Sequence, residues 1–220
     1  MSLWPAIWLT LQLAGLTSVL LIVIATPISW WLVTTKSRAR PFVEALTALP
    51  LVLPPTVLGF YLLILFSPNT VLGTFWIKVT GETLAFSFTG LVLASLLYSL
   101  PFAVQPLRTA FHSVGDGPIE AAATLGASRW QSFHSVVMPL SRRGFLAAAV
   151  LSFAHTLGEF GVVLMVGGNI PGKTRVISIE IYNRVETLDY GAAHVLSAGL
   201  LGVSFLVLVL VFFLNKDERK

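Results

Sequence analysis

The chain has 220 residues, of which 55% are hydrophobic and 11% are charged, and its mean hydropathy is +0.84. Soluble domains carry roughly 25% charged residues, so this composition excludes a soluble globular protein and indicates an integral membrane protein. The net charge of +4 fits basic loops beside a membrane rather than a nucleic-acid surface, and the absence of cysteine excludes disulfide and thiol chemistry.

Apolar stretches long enough to cross a bilayer recur along the chain, since a helix needs about 20 residues to span a ~30 Å hydrocarbon core. We predict an all-α membrane protein with one domain over residues 7–214. Its five predicted spans are residues 7–34, 42–66, 84–107, 144–168 and 191–214. The first stretch has no basic leading region and is too long for the apolar core of a signal peptide, so we expect it to remain as a span.

Three prolines interrupt the second predicted span, within the sequence Leu-Pro-Leu-Val-Leu-Pro-Pro-Thr-Val-Leu-Gly at residues 49–59. A proline lacks the backbone N–H and clashes with the preceding helical turn, so Pro50, Pro54 and Pro55 cannot share one continuous helix. Non-helical backbone at membrane depth is tolerated where protein or a water-filled cavity covers it. We therefore predict a bend, with Pro54 and Pro55 beside a transport pathway; a simple packing kink is the alternative.

A polar loop at residues 112–140 separates the third and fourth predicted spans. Pro118 suits the first position of a helix, where its missing N–H costs nothing, and Glu120 then falls at the third position, near the positive end of the helix dipole. Small and apolar residues recur about every 3.6 residues from position 119 to position 137, and Pro139 would end the helix. We predict a single amphipathic helix.

Small side chains on part of this helix would let the backbone of a partner approach closely, and Glu120 and Arg129 supply charges near its ends. An amphipathic helix on the membrane surface with no partner is the alternative. The order Glu120-Ala121-Ala122, three residues, Gly126 resembles the EAA signature of ABC importer permeases, the loop through which an ATPase subunit drives the membrane subunit. The resemblance implies a coupling helix in which these four residues, joined by Arg129, contact the ATPase.

The fourth predicted span contains His155 and the sequence Gly-Glu-Phe-Gly at residues 158–161. A carboxylate within a span is costly and usually faces the bundle interior or water. Because His155 and Glu159 are four residues apart, a continuous helix would let them pair on one face. We predict that Glu159, Phe160 and Gly161 are gate or packing residues, since neither a metal-ligand set nor a nucleophile–base pair accompanies them.

The loop after the fourth span contains Gly-Gly-Asn-Ile-Pro-Gly-Lys-Thr at residues 167–174, which fits the P-loop pattern. A P-loop joins a buried strand to a helix, whereas this sequence follows an apolar span, so we reject nucleotide binding. We predict that Lys173, Arg175 and Arg184 contact a soluble binding protein or the solute; a solvated loop is the alternative. No Lys or Arg lies within any predicted span, so we expect no tight anion site there.

The basic residues predict the orientation, because cytoplasmic loops carry an excess of Lys and Arg. Ten of the 14 lie within residues 36–40, 108–143 and 216–220, all on one side of a five-span arrangement. We therefore predict an external N-terminus, a cytoplasmic C-terminus and a coupling loop on the side of the membrane where ATP is found.

Over residues 13–214 the chain resembles the molybdate branch of ABC importer permeases, close to the sulfate and tungstate branches. The resemblance is carried by residues 49–59, the EAA loop, Gly-Glu-Phe-Gly at 158–161 and Asn-Ile-Pro-Gly at 169–172; Val136 and Met138 replace the usual Ile and Leu. It implies the permease subunit of an ATP-driven inner-membrane importer of an oxyanion, molybdate first. Tungstate, sulfate or thiosulfate are alternatives, as is a gradient-driven secondary transporter, although the two halves show no internal symmetry.

The resemblance also implies the partners. They are a second copy of this subunit, two cytoplasmic ABC ATPase subunits that bind ATP and Mg, and an external oxyanion-binding protein. We expect no catalytic residue, metal or cofactor in this subunit and no contact with nucleic acid. ATP binding would close the ATPase dimer and pull the two coupling helices together.

Overall fold

The computed structural model describes residues 3–214, and within that part of the chain the fold is all-helical. In chain order the helices are α1 (Trp4–Thr34), α2 (Arg40–Ala48), α3 (Pro55–Leu65), α4 (Val71–Thr80), α5 (Phe88–Val114), α6 (Asp116–Thr124), α7 (Arg129–Ser132), α8 (Met138–Leu140), α9 (Arg142–Leu157), α10 (Gly161–Gly167), α11 (Ile177–Glu186) and α12 (Tyr190–Leu214). A 3₁₀ turn, Leu49–Leu51, follows α2, and a π-helical turn, Phe133–Val137, joins α7 to α8. The tail at 216–220, predicted to be cytoplasmic, lies outside the described residues.

Three of the described helices are long and apolar enough to cross a membrane, namely α1, α5 and the Tyr190–Leu210 part of α12. Two bent pairs of helices meet the same criteria together: Arg40–Leu51 with Pro55–Leu65, and Arg129–Leu140 with Arg142–Leu157. The helices therefore provide three spans, or up to five if each bent pair is one span. The five-span topology and its orientation stay predictions.

The bend predicted at the prolines is confirmed. Pro50 lies in the 3₁₀ turn after α2, Pro54 is extended with φ −55° and ψ 135°, and Pro55 is the first residue of α3. The helices on the two sides of this break diverge by 108°. The prolines account for the break because each removes a helical hydrogen bond.

The fourth predicted span, residues 144–168, is not the continuous helix that its hydropathy suggests. α9 ends at Leu157, α10 begins at Gly161, and the connecting Phe160 has φ −128° and ψ −61°. Glycine at both ends of the connection lowers its helix propensity. Ser178 of α11 donates a hydrogen bond of 2.6 Å to the backbone oxygen of Glu159, so the interrupted backbone has a partner from another helix.

The core of the bundle lies where α1, α5 and α9 meet the π-helical turn. Its buried residues are Leu21, Ala25, Leu32, Ala103, Val104, Leu107, Phe111, Phe133, Val137 and Ala148. Ser29 of α1 donates a buried hydrogen bond of 3.1 Å to the backbone oxygen of Val104 in α5. At Gly144 of α9 an added Cβ would lie only 2.2 Å from the Cβ of Ala110. The small residue therefore permits the close approach of α5 and α9.

α10 is packed tightly at the other end of the bundle, among α1, α3 and α5. Val162, Val163 and Val166 of α10 are fully buried. At Gly59 of α3 an added Cβ would lie 2.7 Å from the Cβ of Met165. α3 and α10 therefore form one closely packed unit.

α12 is peripheral. Only 11% of its most apolar window is buried, compared with 39% for α1 and 56% for α5. Large side chains such as Leu201, Phe205 and Leu206 are more than 60% exposed. Such an apolar outer surface suits a helix that faces lipid or another apolar chain.

Candidate functional site

The loop predicted to hold one amphipathic helix folds as two helical segments. α6 ends at Thr124, and a second segment runs from Arg129 to Leu140 through α7, the π-helical turn and α8. The predicted helix start is wrong: Gly115, with φ 70°, precedes α6, so Pro118 is its third residue and Glu120 its fifth. The predicted end is also wrong, because Pro139 lies within α8. It follows the π-helical turn, where the regular hydrogen-bond pattern is already interrupted.

Gly126 ends α6 in the left-handed region, with φ 85°. Its N–H donates to the backbone oxygen of Ala123, and the N–H of Ala127 donates to that of Ala122, each over 3.0 Å. This pair of bonds is the Schellman motif that terminates many helices. A Cβ at Gly126 would meet no atom within 4 Å, so the position requires a positive φ rather than space. The spacing from Ala122 to Gly126 is thus the spacing of a helix terminus.

Ser128 begins the second segment with a capping box. The Ser128 hydroxyl accepts from the Gln131 N–H over 3.3 Å, and the Gln131 side chain accepts from the Ser128 N–H over 2.7 Å. Both bonds satisfy N–H groups that a helix start leaves unpaired. The turn from Gly126 to Ser128 is therefore held by the Schellman motif before it and by the capping box after it.

Phe133 anchors the loop to the long helices. Its ring lies 5.1 Å from Trp30 of α1 and 5.8 Å from Phe111 of α5, measured between ring centroids. Phe111 in turn lies 5.7 Å from Phe145 of α9. Phe133 is 4% exposed. Packed rings therefore connect the loop to α1, α5 and α9.

The predicted coupling residues lie on the exposed side of this loop. Glu120, Ala121, Gly126 and Arg129 are exposed, and Ala122 is half-buried. Within residues 3–214 neither charged side chain of this set makes an ion pair. The charges therefore remain available to a partner protein.

Two large apolar side chains accompany them: Leu125 is 89% exposed and Trp130 is 70% exposed. Neither is among the predicted coupling residues, because those rest on the EAA signature and on the charges near the ends of the predicted helix. The signal that could have identified Leu125 is a leucine beside a helix-ending glycine in an otherwise polar loop.

A cavity of about 610 Å³ opens at the break between α9 and α10. It is lined by Pro55, Thr56, Tyr98, Ala154, His155, Gly158, Glu159, Phe160 and Gly161. Four of the predicted pathway residues therefore lie together, whereas Pro54 is outside the lining. An added Cβ at Gly161 would lie 2.7 Å from the Cβ of Pro55, so the break in the fourth predicted span directly faces the break in the second.

The expected pair between His155 and Glu159 is wrong. Glu159 is 4% exposed, and its Oε2 accepts a hydrogen bond of 2.7 Å from Ser95 of α5. His155 Nδ1 lies 2.9 Å from the hydroxyl of Ser99, and its ring stacks on Phe102 with centroids 3.9 Å apart. The two side chains part because α9 ends at Leu157, so Glu159 is not on the same helix face as His155.

The basic residues predicted to contact a binding protein or the solute differ in their surroundings. Arg175 and Arg184 both pair with Glu180, at 3.2 Å and 2.8 Å, and Arg184 also pairs with Asp189 at 3.0 Å. Glu180 is 5% exposed. Hydrogen bonds to Glu180 and Asp189 raise the pKa of Arg184. Of the three predicted contact residues, Lys173 is exposed and the two arginines are already held by the chain itself.

The sequence fitting the P-loop pattern forms a closed loop after α10. The Thr174 hydroxyl donates to the backbone oxygen of Gly167 over 2.7 Å and accepts from the N–H of Ile170 over 3.2 Å. No strand precedes it in residues 3–214. The geometry of a phosphate-binding strand–loop–helix unit is therefore missing from this part of the chain.

Comparison with known proteins relates this chain to several transporter subunits. The molybdenum transport system permease protein ModB of Azotobacter vinelandii is 55% identical over 207 residues, which cover 94% of this chain and 92% of that protein. ModB of Escherichia coli K12 is 35% identical over 208 residues, covering 93% and 91%. The sulfate transport system permease protein CysT of the same organism is 37% identical over 180 residues, covering 82% and 65%.

Solved structures show the same fold. The inward-facing MetNI methionine ABC transporter matches with a TM-score of 0.75 at 17% identity, covering 96% of this chain and 94% of that chain. Residues 18–220 also match the family described as the binding-protein-dependent transport system inner membrane component. With this match over most of the chain, the protein belongs to the family of binding-protein-dependent transport system inner membrane components.

Proposed function

We propose that the chain is the permease subunit of an ATP-driven importer that moves molybdate into the cytoplasm. The observation that carries the proposal is the 55% identity to ModB, which extends over 94% of this chain. Sulfate is the second candidate substrate, because CysT is 37% identical over 82% of the chain. Tungstate is chemically close to molybdate and belongs to the same test.

The exposed surface of α6 and α7 supports an ATPase partner. Large exposed apolar side chains flanked by charges mark protein contacts, and Leu125, Trp130, Glu120 and Arg129 form such a surface outside the apolar helices. We assign this surface to an ATP-hydrolysing subunit on the cytoplasmic side of the inner membrane. A complex of two permease copies, two ATPase subunits and an external oxyanion-binding protein completes the assembly.

The fold suggests how a movement of this surface reaches the substrate path. Only Ser141 separates α8 from α9, and α9 runs from there to the cavity at Gly158–Phe160. α10, on the other side of the cavity, is packed against α3. A displacement of the coupling loop therefore moves α9 relative to a fixed α3–α10 unit. This opens or closes the cavity without bending a continuous helix.

The test is uptake by a reconstituted complex. The chain is assembled in proteoliposomes with its cognate ATPase and binding protein, and ATP-dependent accumulation of labelled molybdate is measured with tungstate and sulfate as competitors. Accumulation that requires ATP and the binding protein supports the proposal, and the competition ranks the anions. Accumulation driven by an ion gradient in the absence of ATPase would overturn it in favour of a secondary transporter.

A further inference from the structure

A second cavity, of about 470 Å³, lies between α1, α2 and α5 at the end of the bundle nearest the coupling loop. The polar residues in its lining are Glu44, Thr47, Gln105, Arg108, Thr109 and His112. None of them is among the predicted site residues.

Arg108 follows directly after the predicted end of the third span. The third span was expected to end at residue 107, which leaves no Lys or Arg inside a span. In the structure α5 continues to Val114, so Arg108 lies within a helix long and apolar enough to cross the membrane. A cation thus lines a cavity at the end of the helix bundle, just beyond the predicted third span.

The charges around this cavity favour an anion. Glu44 Oε1 lies 2.9 Å from Arg108 Nη2 and 2.9 Å from Arg40 Nε. Glu44 thus shares its charge between Arg108, which lines the cavity, and Arg40, which does not. A guanidinium has five N–H donors, so Glu44 leaves donors of Arg108 to bind the oxygens of a tetrahedral oxyanion. The hydroxyl of Thr109 and the amide of Gln105 add neutral donors.

The cavity also continues toward the break between α9 and α10. A cavity of about 290 Å³ shares Gln105 and Thr109 with it and extends to Phe102. Phe102 stacks on His155, which lines the 610 Å³ cavity. Tyr98, Phe102, Gln105 and Thr109 are three or four residues apart, so they follow one face of α5. The three cavities therefore lie along a single helix face.

We propose that the Arg108 cavity is a transient binding site for the transported oxyanion, at the cytoplasmic end of its path. Arg108 binds the anion, and Glu44 competes with the anion for Arg108. This competition keeps the affinity low, and the return of Glu44 to Arg108 accompanies release. The inference rests on the proposed function, because it assigns the anion to the substrate of the importer.

The test uses the absence of cysteine from this chain. Ala48 lines the cavity without being one of the proposed donors to the anion. Ala48→Cys gives this subunit a single thiol there, and its rate of reaction with N-ethylmaleimide is measured by mass spectrometry of the intact permease–ATPase complex. Molybdate is added at rising concentration against chloride at equal ionic strength. By mass action, a molybdate concentration of twice the dissociation constant should slow the reaction of the thiol about threefold.

Arg108→Gln should abolish this protection. Arg40→Gln is the matched control, because Arg40 loses the same charge and contacts the same Glu44 oxygen but does not line the cavity; protection should persist. Glu44→Gln should lower the molybdate concentration needed for half-protection, since it removes the competitor. A purely structural role for the Glu44–Arg108 pair predicts no such decrease in the molybdate concentration.

Equal protection in the Arg108→Gln and parent backgrounds would overturn the inference, as would the absence of protection in the parent. Molybdate uptake by the complex without the introduced cysteine separates the two hypotheses. Uptake without protection refutes the Arg108 site alone, whereas failure to take up any oxyanion refutes the proposed function.

Discussion

At the scale of single residues, Gly126 shows why a short sequence signature can have a conformational cause. The glycine lies four positions after Ala122 because the Schellman motif places its left-handed residue there. The same argument explains why glycine is favoured at this position although a Cβ would meet no neighbour. The restriction comes from the backbone, and asparagine is the side chain that best tolerates this conformation.

We expect Gly126→Val to reduce ATP-driven uptake strongly and Gly126→Asn to reduce it little. The left-handed conformation costs an ordinary L-residue about 1–2 kcal/mol, and this cost shifts the turn between α6 and α7. Uptake in proteoliposomes is compared at equal amounts of inserted permease. Equal uptake by the two variants would show that the left-handed turn is not what coupling requires.

Ser95 is the hydrogen-bond donor to the buried Glu159 carboxylate. We expect Ser95→Ala to lower the unfolding free energy by about 1–3 kcal/mol, because the variant leaves a buried acceptor unsatisfied. Ser152→Ala is the control: Ser152 is equally buried, but its hydroxyl bonds only to Ala148 in its own helix, so its loss should change little. Thermal unfolding in detergent measures both. Similar midpoints for the two variants would contradict a stabilising role for the Ser95–Glu159 bond.

At the scale of elements, the sequence predicts the breaks that proline causes and misses those that glycine causes. Pro54 and Pro55 forbid a continuous helix on steric grounds, and the bend is present. By contrast, the apolar pattern continues through Gly158 and the helical period continues through Gly126, so neither break is visible in hydropathy. The break after Gly158 also involves a contact made only after folding, the bond from Ser178 to the backbone oxygen of Glu159.

The end of α5 has a similar explanation. A span predicted from hydropathy stops at the first charge, which is Arg108, but the helix continues to Val114. Glu44 of α2 pairs with that charge, and only the tertiary structure brings the two together. The main site residues therefore follow from sequence motifs, whereas the cavities do not.

Substitutions of Phe133 and Trp130, which lie on the same segment, should distinguish anchoring of the loop to the bundle from binding of the ATPase. Phe133→Ala should cost about 3–5 kcal/mol of stability, as large-to-small changes in a packed core do. Trp130→Ala, at an exposed position, should leave the unfolding midpoint unchanged and weaken co-purification with the ATPase. Unfolding and pull-down are measured on both. A Trp130→Ala variant that retains full ATPase binding would remove this side chain from the proposed interface.

At the scale of the whole molecule, we expect the helices on the two sides of the 610 Å³ cavity to move relative to each other. α3 and α10 are packed closely at Gly59 and Gly161, whereas the non-helical residues Gly158–Phe160 connect α9 to α10. The coupling loop is attached to the α9 side of the cavity. This division makes the 610 Å³ cavity the place where a relative movement of the two parts would be largest.

Cross-linking tests this division directly, because the chain has no cysteine of its own. Thr56→Cys in α3 and Ala154→Cys in α9 lie on opposite sides of the cavity, and a short bifunctional maleimide that joins them should block ATP-driven uptake. Leu63→Cys in α3 with Met165→Cys in α10, both half-buried, is the matched pair within the α3–α10 unit, and joining it should leave most uptake intact. Both pairs include α3. Loss of uptake with the first pair alone therefore shows that α9 moves relative to the α3–α10 unit during transport. Loss of uptake with both pairs would mean that α3 and α10 also separate, so that the cavity does not open by movement of α9 alone.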